Sequence, residues 1–171
     1  MTGEKWVSAG DSAFIKHTQP VILVDLDSTV ADTRHRSHLT PHNDPTATWD
    51  SYSMHCDGDA PIQGTVALLR LLVARHRIAI VSGRSFEAVD LTMDWLSQHR
   101  VPWDVMRLRY QDDCEDPLEY KRSVLQELEN QDIVLALEDW PAVAQMWEDN
   151  GIPTVCVNPR YHEDPNAYFV R

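Results

Sequence analysis

Residues Val21-Ile22-Leu23-Val24 run directly into Asp25-Leu26-Asp27-Ser28-Thr29. A short apolar run rich in Val and Ile, with no polar alternation, reads as a strand buried on both faces. Such strands belong to parallel sheets covered by helices on each side. Two carboxylates separated by one residue at the end of that strand serve no packing purpose. They repel each other unless a cation or a shared proton compensates, so the sequence marks a site at the edge of its own core.

The rest of the chain keeps the same architecture. Further apolar runs at Ile78 to Val81, Trp103 to Leu108, Ile133 to Leu137 and Thr154 to Val157 read as strands. Between them lie amphipathic patterns that predict helices over Gly64 to His76, Phe86 to His99, Pro117 to Asn130 and Pro141 to Asn150. Ser85 is a candidate cap for the second, and Pro141 and Gly151 bracket the last. Strand–helix alternation predicts an α/β fold: a three-layer, Rossmann-like parallel sheet with right-handed crossovers. The 171 residues suit a single domain over 1–171. Between Leu26 and Ile78 the chain is about twice as long as a crossover needs. The surplus, 33–62, reads as a small cap inserted after the first strand, and 1–19 as a loose or edge-packed N-terminal extension.

Bulk properties narrow the function classes. The formal net charge of −12 argues against a protein that grips long duplex nucleic acid, which needs a basic face. Contact with a strand end or a single nucleotide remains open. Three scattered cysteines, Cys56, Cys114 and Cys156, fit neither a disulfide framework nor a CxxC zinc site and suggest a reducing compartment. Residues 1–20 lack an apolar stretch, and no run approaches membrane-spanning length, so the expectation is a cytoplasmic protein without a membrane partner. His35, His38, His42, His55 and Cys56 match no standard zinc spacing and read as cap lining.

Ligands of open α/β sheets bind beyond the carboxyl ends of the strands. There the sequence places Asp25 and Asp27, then Ser82-Gly83-Arg84, then Arg107 and Arg109, then Glu138-Asp139. Oxygen-only ligands favour Mg²⁺, with the carboxylates of Asp25, Asp139 and Glu138 and the backbone carbonyl of Asp27 as candidates, the Asp27 side chain lying beyond the metal's reach. A hydroxyl, a glycine and a guanidinium in one turn suit a phosphate, and Lys121 can add a positive charge. Carboxylate, metal and phosphate clamp together point to phosphoryl transfer through an aspartyl-phosphate. Asp25 is the candidate nucleophile and Asp27 the proton donor and acceptor. Trp49 and Tyr52 can pack the cap or stack on a base. The acidic run Asp112, Asp113, Glu115, Asp116 reads as a solvated loop.

The DxDxT strand end, the strand-end serine, the downstream lysine and the terminal acidic pair, in this order, resemble the haloacid dehalogenase (HAD) phosphatase superfamily over roughly residues 20–158. Residues 25–36, the Val81-Ser82-Gly83-Arg84 turn, Thr92-Met93-Asp94-Trp95 and Leu137-Glu138-Asp139-Trp140 through Met146-Trp147 resemble the 3′-phosphatase domain of phage-type polynucleotide kinase. The resemblance implies Mg²⁺-dependent removal of phosphate from a nucleic-acid 3′ end or a nucleotide. Asp25, Asp27 and Lys121 would be catalytic, and Ser82, Gly83, Arg84, Arg36 and Arg109 would contact substrate or phosphate. The chain departs from the family pattern at Ser28, where Gly is usual, at Glu138, where Asp is usual, and at Pro117, where an acid is usual and Asp116 is adjacent. No GxxxxGK[ST] occurs, so the expectation is a phosphatase module standing alone, with a separate kinase or ligase as its partner in the pathway. A mononucleotide phosphatase is the competing reading, favoured by the acidic balance. A binding module without chemistry is disfavoured, because every catalytic group is present.

Overall fold

The structure, a computed structural model, describes residues 5–10, 19–113 and 116–157. Cys114 and Glu115 therefore lie outside the described residues, as does most of the N-terminal extension. A six-stranded sheet runs in the order β1 (Trp6–Ser8), β6 (Val105–Arg109), β5 (Arg77–Ser85), β2 (Val21–Val24), β7 (Ile133–Glu138), β8 (Thr154–Cys156). All neighbours pair parallel except β1, which runs antiparallel to β6 at the edge. The described part of the N-terminal extension is thus an edge strand.

Alternate residues of β2 go to opposite faces, the period-2 geometry of a strand. Ile22 and Val24 join a core with Val66 and Leu69 of α2 (Gln63–Leu72) and Trp95 and Leu96 of α3 (Val89–Gln98). Val21 and Leu23 face Tyr120 and Val124 of α4 (Pro117–Glu127) and Val143, Met146 and Trp147 of α5 (Pro141–Asp149). The result is the expected three-layer α/β/α fold. Local signals set the helix starts. Asp116 accepts from the Glu119 N–H ahead of Pro117, Ser85 accepts from the Glu87 N–H, and Pro141 opens α5. The second predicted helix begins instead as a 3-10 turn at Phe86–Ala88, and the helices stop one to four residues short of their predicted ends.

The chain builds outward from β2 to β5 and β6, then returns past β2 to β7 and β8. The direction of build-up reverses beside β2, and that reversal opens a crevice at the strand's carboxyl end. The two-stranded ladder of β3 (Ala31–Asp32) and β4 (Ala60–Pro61) closes the base of the cap. Between them lie a 3-10 segment Arg34–Leu39, the short helix α1 (Trp49–Ser53) and a 3-10 turn Cys56–Gly58. A capping box between Thr48 and Ser51 starts α1. No helix among the described residues is long and apolar enough to cross a membrane.

Candidate active site

Asp25 leaves β2 with its N–H bonded to the Leu137 carbonyl of β7 at 3.0 Å, so the central strand and its neighbour aim the nucleophile candidate into the crevice. The chain then turns tightly. The N–H groups of Thr29, Val30 and Ala31 all point at the Leu26 carbonyl, and Ser28 donates to Ala31 O at 2.7 Å. Ser28 sits at φ +66°, a left-handed conformation that favours glycine. This is the physical reason glycine is usual there, and the serine holds the turn with its hydroxyl 3.3 Å from that of Thr33.

Lys121 Nζ donates to Asp25 Oδ1 and Glu138 Oε2, both at 2.7 Å, and all three side chains are buried. Asp139 follows Glu138 at the end of β7 and accepts from the Thr29 hydroxyl at 3.4 Å. Asp25, Glu138 and Asp139 each offer a carboxylate oxygen within 4.8 Å of the others. Three buried carboxylates and the Lys121 ammonium thus share one small volume. Oxygen-only donors fit a hard divalent cation. The electrostatics agree. Burial pushes the Asp25 carboxyl up to about 7 against the pull of Lys121, with Glu138 and Asp27 adding repulsion. Burial raises Glu138 too, in spite of Lys121. Burial alone would lower Lys121, but Asp25 and Glu138 reverse that and keep it charged.

Asp27 lives in a different environment. Its Oδ1 accepts from Arg36 Nη2 and Arg84 Nε, each at 2.8 Å. Burial favours its neutral form, but Arg84 and Arg36 outweigh burial and hold the carboxyl below its ordinary value. Its side chain is not part of the three-acid cluster. Arg36 and Arg84 donate to Asp27 from within the protein. Both are fully buried and stand behind Asp27 rather than on the cavity wall, because their guanidinia are already committed to carboxylates. The sequence groups Ser82, Gly83 and Arg84 as one clamp, and the structure separates them. The ladder between β5 and β6 skips from Ser82 to Ser85. Gly83 reaches the cavity wall, where a Cβ would meet no protein atom within 4 Å. Ser82 stays buried with its hydroxyl accepting from the Arg84 N–H at 3.4 Å.

The cavity over these groups measures about 830 Å³ and is lined by Asp25, Asp27, Gly83, Lys121, Glu138 and Asp139 below and His42, Trp49 and Tyr52 of the cap above. Arg109 also lines it, holding Gly83 O at 3.3 Å and the exposed Asp50 of α1 at 3.1 Å. Arg107 turns elsewhere, to Asp113 and Glu127. The acidic run is accordingly not all solvated loop: Asp113 is paired and Asp116 caps α4 at the cavity rim. His35 pairs with Asp59 and His42 packs edgewise on Trp49, and no histidine or cysteine joins a metal-holding group among the described residues.

Sequence reasoning passed over Asp59. Its side chain is fully buried and accepts from Arg36 Nε and Nη2 at 2.8 Å and from Arg84 Nη2 at 2.7 Å. No local pattern marks it: two arginines converging on Asp27 leave a positive excess that burial forbids, and only in the folded chain is Asp59 seen to balance it. Thr92 and Trp95 also find their use here. Thr92 accepts from Arg84 at 3.4 Å, and the Trp95 indole donates to the Asp59 carbonyl at 2.7 Å.

A family model described as the polynucleotide kinase PNKP phosphatase domain matches residues 19–161. No curated protein sequence matches the chain. Among solved structures, a chain in "Structure of the Pnkp1/Rnl/Hen1 RNA repair complex" superposes with a TM-score of 0.68 at 19% identity, over 83% of this chain and 43% of that one. This chain therefore spans less than half the length of that relative. The class C acid phosphatase from Bacillus anthracis gives a TM-score of 0.59 at 19% identity, over 85% and 69% of the two chains. A putative HAD-like phosphatase from Mesorhizobium loti gives 0.56 at 13%, over 86% and 75%. At these identities the likeness establishes a shared fold.

Proposed function

This chain belongs to the PNKP phosphatase-domain family of HAD phosphatases, and on that premise we propose that it hydrolyses phosphomonoesters through an aspartyl-phosphate on Asp25, with the 3′-phosphate of a nucleic-acid end as its substrate. The observation that carries the reading is the buried Asp25 carboxylate, bonded to Lys121 at 2.7 Å and open to a cavity of about 830 Å³.

An Asp25 oxygen attacks phosphorus, the bond from phosphorus to the sugar oxygen breaks, and that oxygen takes a proton from Asp27. Asp27 then takes a proton from water as the water oxygen attacks phosphorus, the bond to Asp25 breaks, and inorganic phosphate leaves. Arg84 and Arg36 hold Asp27 ionised before substrate arrives. Its proton is taken up as a phosphate dianion enters beside it, where like charges share a dry site. Asp25, Asp139 and Glu138 would hold a Mg²⁺ ion, which supplies positive charge to the phosphoryl oxygens when bound. Lys121, the Ser82-Gly83 segment and Arg109 complete the phosphate and substrate contacts.

The small cap supports a strand end over a sealed small molecule, and Trp49 with His42 provides an aromatic wall on which a terminal base can stack. On this reading a kinase and a ligase acting on the same ends are the partners. The net charge of −12 favours the alternative, a mononucleotide substrate. Turnover of a 3′-phosphorylated oligonucleotide against 3′- and 5′-mononucleotides, with and without Mg²⁺, separates them. Preference for the 5′-mononucleotide overturns the substrate reading, and retained activity in Asp25→Asn overturns the nucleophile.

A further inference from the structure

We infer that Asp59, contributed by the cap, is a positioning residue for the proton transfers at Asp27 and acts through Arg36 and Arg84. The inference rests on the reading of Asp27 as proton donor and acceptor.

Four charged side chains form a closed ring. Asp59 takes a two-pronged grip from Arg36, Nε to Oδ1 and Nη2 to Oδ2, and a third bond from Arg84 Nη2 to Oδ2. Both guanidinia then converge on the same oxygen of Asp27, Oδ1. Neither takes Oδ2, and the Asp27 side chain is 26% exposed where it lines the cavity, whereas the other three are 0% exposed. A carboxylate with one oxygen held by two cations protonates on the other. The ring therefore selects which oxygen of Asp27 carries the proton and fixes its direction.

Asp59 makes this possible in two ways. Its charge balances the second guanidinium, so the buried ring is neutral and stays dry. Its two oxygens set the arginines at a fixed spacing, since the planar fork of Arg binds a carboxylate in one geometry. The surroundings hold Asp59 as firmly as it holds them. The Trp95 indole donates to its carbonyl at 2.7 Å, and Arg36 lies 4.1 Å over the Tyr52 ring and donates to the Tyr52 carbonyl at 3.2 Å. His35 Nε2 meets Asp59 Oδ1 at 2.8 Å, and Gly58 makes room for that ring: a Cβ there would come within 2.8 Å of His35 Cε1. Seating of the cap and alignment of Asp27 thus pass through one carboxylate.

The test is the dependence on leaving group. A sugar oxygen needs a proton to depart and p-nitrophenolate does not, and kcat/KM reports only the steps through that departure. In Asp59→Asn, kcat/KM falls roughly 10–100-fold on the 3′-phosphorylated oligonucleotide, or on a mononucleotide if that is the better alkyl ester, and less than about threefold on p-nitrophenyl phosphate. A role limited to holding the cap lowers both together, and that result overturns the inference. Asp27→Asn is the reference. If it shows no leaving-group selectivity, the reading of Asp27 falls. If it shows selectivity and Asp59→Asn does not, the inference alone falls. Should Asp59→Asn fail to fold, Asp59→Glu keeps the charge and shifts both guanidinia by one methylene. It loses the alkyl ester selectively if the inference holds, and wild-type selectivity in that variant overturns it.

Discussion

Replacing Lys121 with methionine removes the ammonium paired with the buried Asp25 and Glu138 carboxylates while keeping the length of the side chain. Each 2.7 Å contact to Asp25 and Glu138 corresponds to ~6 kcal/mol of gross attraction at an effective dielectric of 20. Most of that is offset by the desolvation of the ions, and breaking a buried pair from one side costs about 3–5 kcal/mol. The loss depends on pH in a definite direction. Asp25 is raised from 3.8 to about 7 even with Lys121 present; without the lysine, Asp25 and Glu138 rise further. A raised folded-state value contributes stability below the unfolded value that disappears as pH rises through the folded one. The deficit is therefore largest at pH 8 and shrinks toward pH 5, where the carboxyls neutralise themselves. A divalent cation replaces the missing charge, and at a hundredfold excess over its dissociation constant returns ~2.7 kcal/mol. Urea unfolding followed by tryptophan fluorescence, at pH 8 and pH 5, in EDTA and in Mg²⁺, measures all of this. A loss below about 1 kcal/mol at pH 8 in EDTA, smaller than any one-sided break of a buried pair, refutes the reasoning. Equal stability in Mg²⁺ and in EDTA, for wild type and variant alike, refutes the metal reading of the cluster.

Trp49→Ala removes a stacking face worth about 1–3 kcal/mol. KM for a 3′-phosphorylated oligonucleotide rises roughly 5- to 150-fold with kcat and p-nitrophenyl phosphate turnover unchanged, and equal effects on both substrates count against base stacking. Asp113 is held down to about 2 by Arg107 and Lys5 against burial, so its stabilisation is present above 3.8 and lost as pH falls toward 2. Asp113→Asn lowers stability by about 1–2 kcal/mol at pH 7 and by nothing near pH 2, as read from urea midpoints across that range. Ser28→Val puts a β-branched residue at φ +66° and lowers stability by about 2 kcal/mol, whereas Ser28→Gly leaves it unchanged or higher by thermal melting.

Much of the fold is legible in short stretches of chain. Val21 to Val24 is apolar at every position because both faces of β2 are covered, and Asp116-Pro117 and Pro141 announce helices through capping chemistry that involves only a few neighbours. The nucleophile candidate Asp25, the terminal acids and the lysine are legible for the same reason: each follows a recognisable strand end or helix start. The arginines are not. Arg36, Arg84 and Arg109 look alike in sequence, yet two are sealed behind Asp27 and the third lines the cavity.

The α/β layering, the sheet edge that gathers the polar residues, and Asp25, Asp139 and Lys121 as candidates for one site can all be read along the chain. These follow from periodicity, strand ends and local caps, all short-range properties of the chain. The tertiary structure alone decided which carboxylate meets which cation. Asp27 and Asp59 are 32 residues apart in number, and only the folding of the cap onto β5 brings both to the same pair of guanidinia. A long-range ion ring has no periodicity to betray it, because charge pairing depends on distance in space and not on spacing along the chain.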